Sequence, residues 1–330
     1  MNVKGVITLH LNYVMNACRF IASSMVLVAA AIMGGVLSGC EVASHSVSEA
    51  DGSLLRVTTT TGMIADTARI VGGEAVLVEQ LMGPGVDPHL YKATQSDLHR
   101  LTNADIILYN GLHLEGRMVD IMSRMDRYTE SMAVAEAVPE ELLRILDDYP
   151  GNQDPHIWFD LSLWRYAVEA IRDRFIALRP EEEAYFRART DAFLSEMADL
   201  HDWAKVEIQR IPKDSRVLIT AHDAFGYFGE AYDIEVMGLQ GISTASEYGL
   251  QDMERLVQII IERDIKAIFV ESSISTRGME ALLAGVRARG QTLQIGGELY
   301  GDALGEPGTP VGTYLGMFRH NVVTIVEALR

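Results

Sequence analysis

The chain has 330 residues, 48% of them apolar and 22% charged, with 28 Lys and Arg against 46 Asp and Glu for a formal net charge of −18. That acidity gives no electrostatic basis for binding nucleic acid or an anionic bilayer, and so apolar a chain with nine prolines is not disordered. The length suits two domains, and two cysteines, Cys18 and Cys40, are too few for a disulfide framework or a cysteine metal cage.

From Phe20 to Leu37 no charged residue occurs, Arg19 precedes the run, Lys4 lies further back, and the first acid is Glu41. This is the polarity of a secretory signal. The ending Leu37-Ser38-Gly39-Cys40 resembles the bacterial lipoprotein signal, which implies that residues 1–40 are removed as a signal peptide and that Cys40 becomes the lipid-modified first residue. Translation from Met15 rather than Met1 gives a more ordinary positive leader. The competing reading is an uncleaved membrane anchor, since the apolar run is just long enough to span. Either way the remainder is expected outside the cytoplasm. Residues 41–53, rich in Ser, Ala and Glu, read as a tether. Loss of Lys4 and Arg19 with the signal leaves 26 basic and 46 acidic residues, a formal charge of −20.

From Leu54 onward β-branched runs alternate with helical periodicity. In the first half, strands are expected at 55–60, 75–82 and 105–109, and helices at 63–71, 94–102 and 114–125. In the second half, strands are expected at 217–220, 234–239, 267–270 and 292–295, and helices at 224–231, 251–263, 276–289 and 312–328. The alternation predicts an α/β fold of two lobes, each a mostly parallel sheet flanked by helices, over residues 54–180 and 212–330. Between them, Glu181 to Ile211 contains no Gly or Pro, with Pro180 ahead of it and Glu181, Glu182 and Glu183 at its start. Apolar residues recur there at Tyr185, Phe186, Phe193, Leu194, Met197, Leu200, Trp203, Ala204 and Val206. The spacing predicts one long rigid connector helix over 181–211, about 46 Å in length.

Three histidines stand in contexts suited to ligand binding. His89 lies in Gly83-Pro84-Gly85-Val86-Asp87-Pro88-His89, after an expected strand, and His156 lies in Asp154-Pro155-His156. His222 is at the carboxyl end of a strand, the edge at which open parallel sheets bind ligands. The repeated Asp-Pro-His tripeptide fixes the backbone before the imidazole and supplies a carboxylate to orient it. Asp302 follows the last expected strand in the glycine-rich segment Gly296-Gly297-Glu298-Leu299-Tyr300-Gly301-Asp302. Three imidazoles and a carboxylate suit Zn²⁺ or Mn²⁺ and are too nitrogen-rich for Ca²⁺ or Mg²⁺. The four positions are separated by 67, 66 and 80 residues, so only packing of the two lobes assembles them.

The segment 83–91, the run Asp154-Pro155-His156-Ile157-Trp158-Phe159-Asp160, the long connector and the ending Gly312-Thr-Tyr-Leu-Gly-Met-Phe-Arg-His-Asn321 resemble the zinc- and manganese-binding lipoproteins of bacterial ABC importers. The resemblance covers essentially all of 54–330. It implies that His89, His156, His222 and Asp302 are the metal ligands, that the lobes move by a small hinge, and that the metal is delivered to an importer permease. Manganese-dedicated members usually carry Glu at the position of His222. Zinc-dedicated members often have a His-rich loop ahead of the second ligand, whereas Val138 to Gln153 contains no histidine. The choice between zinc and manganese stays open. A His₃Asp set by itself favours Zn²⁺ over Mn²⁺.

Asp87, Asp154, Asp223 and Glu271 are candidates to support these ligands through hydrogen bonds, with His113 and Glu247 weaker ones. His99, His201 and His320 are expected in packing or surface roles, and His45 in the tether. Trp158, Phe159, Phe225, Tyr227 and Phe228 are expected to wall the site from water. The expected function is capture of a divalent metal outside the cytoplasm by a monomeric lipoprotein and transfer to a permease. The competing readings are a zinc hydrolase, a surface adhesin, and a siderophore or haem binder. Four protein ligands argue against the hydrolase, because catalytic zinc keeps an open position.

Overall fold

The computed structural model describes residues 54–146 and 152–330. The signal at 1–40 with Cys18 and Cys40, and the tether at 41–53 with His45, lie outside the described residues. The first sheet is all-parallel in the order β2-β1-β3-β4, from β1 (Leu55–Thr59), β2 (Val76–Gln80), β3 (Ile106–Tyr109) and β4 (Glu130–Ala133). Helices α1 (Gly62–Gly72), α2 (Gln95–Asn103) and α3 (Val119–Met125) link its strands. The second half has two parallel ladders, β5 (Val217–His222) with β6 (Glu235–Gln240) and β7 (Ala267–Glu271) with β8 (Gln294–Leu299), and β5 lies beside β7. Helices α6 (Gly226–Tyr232), α7 (Leu250–Glu262), α8 (Arg277–Ala288) and α9 (Tyr314–Leu329) follow the strands. Two α/β lobes of parallel strands and flanking helices result, and the described residues fall within one compact unit.

Helix α4 (Leu161–Leu178), capped by the Asp160 side chain accepting from Ser162 N–H, was not among the expected elements, although its apolar face has the 3–4 spacing of a buried helix. Strand β4 was also absent from the expectation; its Glu130-Ser131-Met132-Ala133 sequence is half-buried and low in β-formers, as an edge strand allows. The connector α5 spans Glu183–Ile208, 26 residues or about 39 Å, after a 3₁₀ turn at Pro180–Glu182. Phe186, Phe193, Met197, Leu200 and Ala204 face its buried side as the spacing predicts, but Val206 is 62% exposed and belongs to the opposite face. One continuous core, from Leu55 and Ile106 through Phe193 and Met197 to Phe269 and Phe318, runs through both halves, so α5 couples them by burial as well as by the chain.

Two expectations near the site need correction. Residues 114–125 do not form one helix: Gly111, Leu112 and His113 all adopt positive φ, and turns carry the chain to α3 at Val119. Gly296 and Gly297 lie in β8, which continues to Leu299 with a register shift against β7, and only Gly301 and Asp302 stand in the turn beyond it. A Cβ at Gly296 would meet Ala328 and Phe269, so this glycine lets α9 and β7 approach the strand closely.

Candidate metal centre

Each half supplies two members of one buried cluster. His222 is the last residue of β5, and Asp302 stands three residues beyond β8. The two Asp-Pro-His tripeptides fold alike. Asp87 Oδ1 accepts the His89 backbone N–H at 2.8 Å, and Asp154 Oδ1 accepts that of His156 at 3.0 Å, an Asx turn that sets each imidazole at a fixed angle to its loop. One ligand atom from each of His89, His156, His222 and Asp302 lies within 4.8 Å of all the others, and the four residues are 0–3% exposed.

His89 Nε2 is 3.4 Å from His156 Nε2 and 3.6 Å from Asp302 Oδ2, His156 Nε2 is 3.5 Å from Asp302 Oδ1, and His222 Nε2 is 3.2 Å from Asp302 Oδ2. A tetrahedron with metal–ligand bonds of about 2.1 Å has edges of about 3.4 Å. The four separations, 3.2–3.6 Å, lie close to that edge, and the remaining donor pairs fall within 4.8 Å of one another. Neither oxygen of Asp302 has an aligned hydrogen-bond donor among the described residues. A buried carboxylate in that condition is costly unless a cation faces it.

Carboxylates stand behind two of the rings. Asp154 Oδ1 lies 2.7 Å from His156 Nδ1, which as donor leaves the Nε2 lone pair directed at the cluster. Glu271, the last residue of β7, accepts the His222 backbone N–H at 2.9 Å, and its other oxygen is 2.9 Å from His222 Nδ1. A His₃Asp set leaves a bound dication with a net +1, and these two acids offset it. Asp87 Oδ2 instead accepts from Thr244 Oγ1, 2.6 Å away in the other half. Burial pushes the Asp87 carboxyl above its ordinary range.

Burial lowers the His89 imidazole to about 3, against the pull of Asp302. Burial also works against protonated His222, but the Glu271 and Asp302 carboxylates outweigh it and hold that ring well above its ordinary value. Asp302 is likewise disfavoured as an anion by burial, and the surrounding imidazoles, His222 foremost, hold it below the usual carboxylate range. Of these two rings, His222 is the one whose protonated form the neighbouring carboxylates favour.

Asp223 stands close to the Asp154 carboxylate, and burial raises its carboxyl. Glu247 and His113 are exposed and outside the cluster. His99 is exposed beside Asn103, His201 meets the Tyr232 hydroxyl at 2.8 Å, and His320 meets the Glu298 carbonyl at 3.2 Å. The five expected aromatics are all buried, with Trp158 edge-on to His156 and Phe159 stacked on Phe225. Sequence reasoning missed the residues that hold the ligand loops from behind. Glu115 is buried and accepts from Thr60 Oγ1 and the N–H groups of Asn110 and Gly111, while Asn110 Nδ2 donates to the Pro155 carbonyl at 3.0 Å. Asn321 clamps residue 300 by accepting its N–H at 3.0 Å and donating to its carbonyl at 2.8 Å. Asn321 ends the 312–321 motif, which was the available signal.

A family model described as zinc-uptake complex component A, periplasmic, matches residues 57–328. The chain belongs to this family. Among relatives of the zinc-uptake component A kind, the manganese-binding lipoprotein MntA of Bacillus subtilis is 48% identical over 295 residues, 89% of this chain and 95% of that protein. The zinc-binding protein TroA of Treponema pallidum is 47% identical over 296 residues, again 89% of this chain and 95% of that one. The solved structure of the periplasmic zinc-binding TroA of that organism superposes with a TM-score of 0.82 at 46% identity, covering 84% of this chain and 99% of the other. As a component A protein the chain is thus similar to one relative named for manganese and to another named for zinc. Among the described residues no helix is long and apolar enough to cross a membrane.

Proposed function

We propose that this protein captures Zn²⁺ or Mn²⁺ outside the cytoplasm through His89 Nε2, His156 Nε2, His222 Nε2 and the Asp302 carboxylate, and hands the ion to the permease of an ABC importer. The observation that carries this reading is the convergence of three imidazole nitrogens on a buried carboxylate that has no aligned hydrogen-bond donor. The metal is cargo. Four protein ligands fill a tetrahedral zinc shell and leave no position for a reacting water, which supports a transport protein over a hydrolase. The N₃O donor set holds Zn²⁺ more tightly than Mn²⁺ by the usual order of divalent-metal affinities. The relatives named for manganese and for zinc support both ions as cargo.

The protein is anchored as a monomer through lipid on Cys40, with residues 41–53 as the tether, lobes at 54–180 and 212–330, and the permease as its partner. Calorimetric titration of metal-stripped protein tests the reading. One Zn²⁺ binds per chain, and His89→Ala and His222→Ala each weaken binding at least 100-fold, as loss of one inner ligand implies. Unchanged affinity in either variant rejects the assignment.

A further inference from the structure

Arg144 is tied at one end to the support of His156 and at the other to the helix that follows His222. Its Nη1 donates to Asp154 Oδ2 at 2.6 Å, while the other oxygen of Asp154 takes both the ring and the backbone N–H of His156. Its Nε donates to Glu230 Oε1 at 2.7 Å on α6, the helix that begins four residues after His222. The same helix adds a second tie: the Tyr227 hydroxyl accepts the Arg144 backbone N–H and donates to the Asp154 carbonyl, both at 3.0 Å. The guanidinium lies against Gly226, where any Cβ would overlap it, and 5.7 Å from the centre of the Tyr227 ring. A planar, forked cation is the side chain suited to two carboxylates approaching from different directions.

We propose that Arg144 is a positioning residue that clasps the His156 loop to α6 across the cluster and thereby sets the rate at which the bound metal leaves. The proposal rests on the reading of the four-residue cluster as the metal site. While the clasp is closed, His156 and His222 cannot draw apart without breaking the Asp154–Arg144–Glu230 chain. Its two ends differ in exposure: Asp154 is 0% exposed and Glu230 is 66% exposed. The Glu230 end is the one that opens, and mobile ions screen it. The Asp154 end stays intact and keeps the His156 ring aimed at the site.

Stopped-flow release of Zn²⁺ into excess chelator tests this on the full-length protein, with Zn²⁺ alone as the probe. Glu230→Gln changes one exposed side chain and speeds release about two- to fivefold, the size of an exposed ion pair. Arg144→Gln speeds it about tenfold or more, because Asp154 then loses a buried charged partner. Arg144→Lys restores part of the difference, since one ammonium replaces one arm of the fork. The Arg144→Gln/Glu230→Gln double variant releases no faster than Arg144→Gln alone. Added salt speeds release from the unaltered protein and has little effect on Glu230→Gln, a signature that a general loss of packing does not give. Association rates stay within about threefold throughout. One-to-one Zn²⁺ binding with the same off-rate in all variants overturns the clasp and leaves the metal site standing. Failure of the unaltered protein to bind Zn²⁺ overturns both.

Discussion

Trp158 donates its indole N–H to the carbonyl oxygen of Gly301 across 3.1 Å, joining the loop that carries His156 to the loop that carries Asp302. The Tyr314 hydroxyl in turn donates to the Trp158 carbonyl at 2.6 Å, and Tyr314 opens the last helix, α9. The candidate ligands His156 and Asp302 are thus tied to each other through a hydrogen-bonded indole between their loops. Trp158→Phe keeps the ring packing and removes the donor, so Zn²⁺ affinity is expected to fall about three- to tenfold, the value of one buried hydrogen bond. Competition against a zinc-sensitive dye checks it, and an unchanged constant shows that the link is not used.

Gly301 is confined from another side. A Cβ at this position would run into Glu271 Oε2 and reach 3.4 Å from His222 Cε1. Gly301→Ala therefore forces Glu271 away from His222 and is expected to weaken Zn²⁺ binding more than Trp158→Phe does, while the far-UV circular dichroism stays that of the unaltered protein. Equal affinities for the two variants would contradict this order.

Acid should weaken binding through His222 first. Its folded value lies above the ordinary 6.5, so the stability its protonation lends the metal-free protein is fully present below the unfolded value and is lost as pH rises through the folded one. Zn²⁺ must displace that proton. His89, held down to about 3, does not compete near neutrality. Asp302, held low, adds stability above the unfolded carboxyl value and gives it up only in strong acid. From about pH 6 to 8 the logarithm of the affinity is expected to rise by about one unit per pH unit from His222. Calorimetry in buffers of different ionisation enthalpy counts the released proton; a flat profile across that range would contradict the proton on His222.

Asn321 is 1% exposed and closes both backbone groups of Tyr300, two residues before Asp302. Asn321→Leu strands a half-buried N–H and a half-buried carbonyl of Tyr300, at a cost of about 2–4 kcal/mol for the pair. The melting temperature of the metal-free protein should fall by roughly 5–10 °C, and Zn²⁺ affinity should fall with it, because the loop that aims Asp302 loses its clamp. Differential scanning calorimetry and dye competition on the same sample measure both, and a melting point within 1–2 °C of the unaltered protein would remove Asn321 from this role.

Lipid attachment has its own test. Cys40→Ala is expected to move the protein from the membrane to the soluble fraction of the extracytoplasmic compartment with its Zn²⁺ affinity unchanged, since the cluster lies wholly beyond residue 88. Retention in the membrane fraction would point to an uncleaved anchor instead.

Much of this architecture is legible in the sequence because it rests on local chemistry. Alternating periods of two and 3.6 mark the parallel strands and their helices, and the absence of Gly and Pro from 181–211 marks the connector. Val206 shows the limit of that reading: it is apolar yet 62% exposed, because two residues beyond buried Ala204 is about 200° round the helix, on the side that faces water. The chain reaches α3 later than the apolar spacing predicts because Gly111, Leu112 and His113 take positive φ, in a turn where the buried Glu115 accepts from the amides of Asn110 and Gly111. The two Asp-Pro-His tripeptides announce His89 and His156 by local geometry. Arg144 and Asn110 announce nothing locally, since they act on residues 10 and 45 positions away, and Asn321, although it ends the 312–321 motif, shows its role only when the folded chain brings it against Tyr300.

The most direct test of the account is an anomalous-difference map from crystals of the protein loaded with one equivalent of Zn²⁺, recorded at the zinc edge. The account predicts a single strong peak bounded by His89 Nε2, His156 Nε2, His222 Nε2 and Asp302, with Zn–N distances of about 2.0–2.1 Å. A peak elsewhere, or no peak among these four side chains, would contradict it.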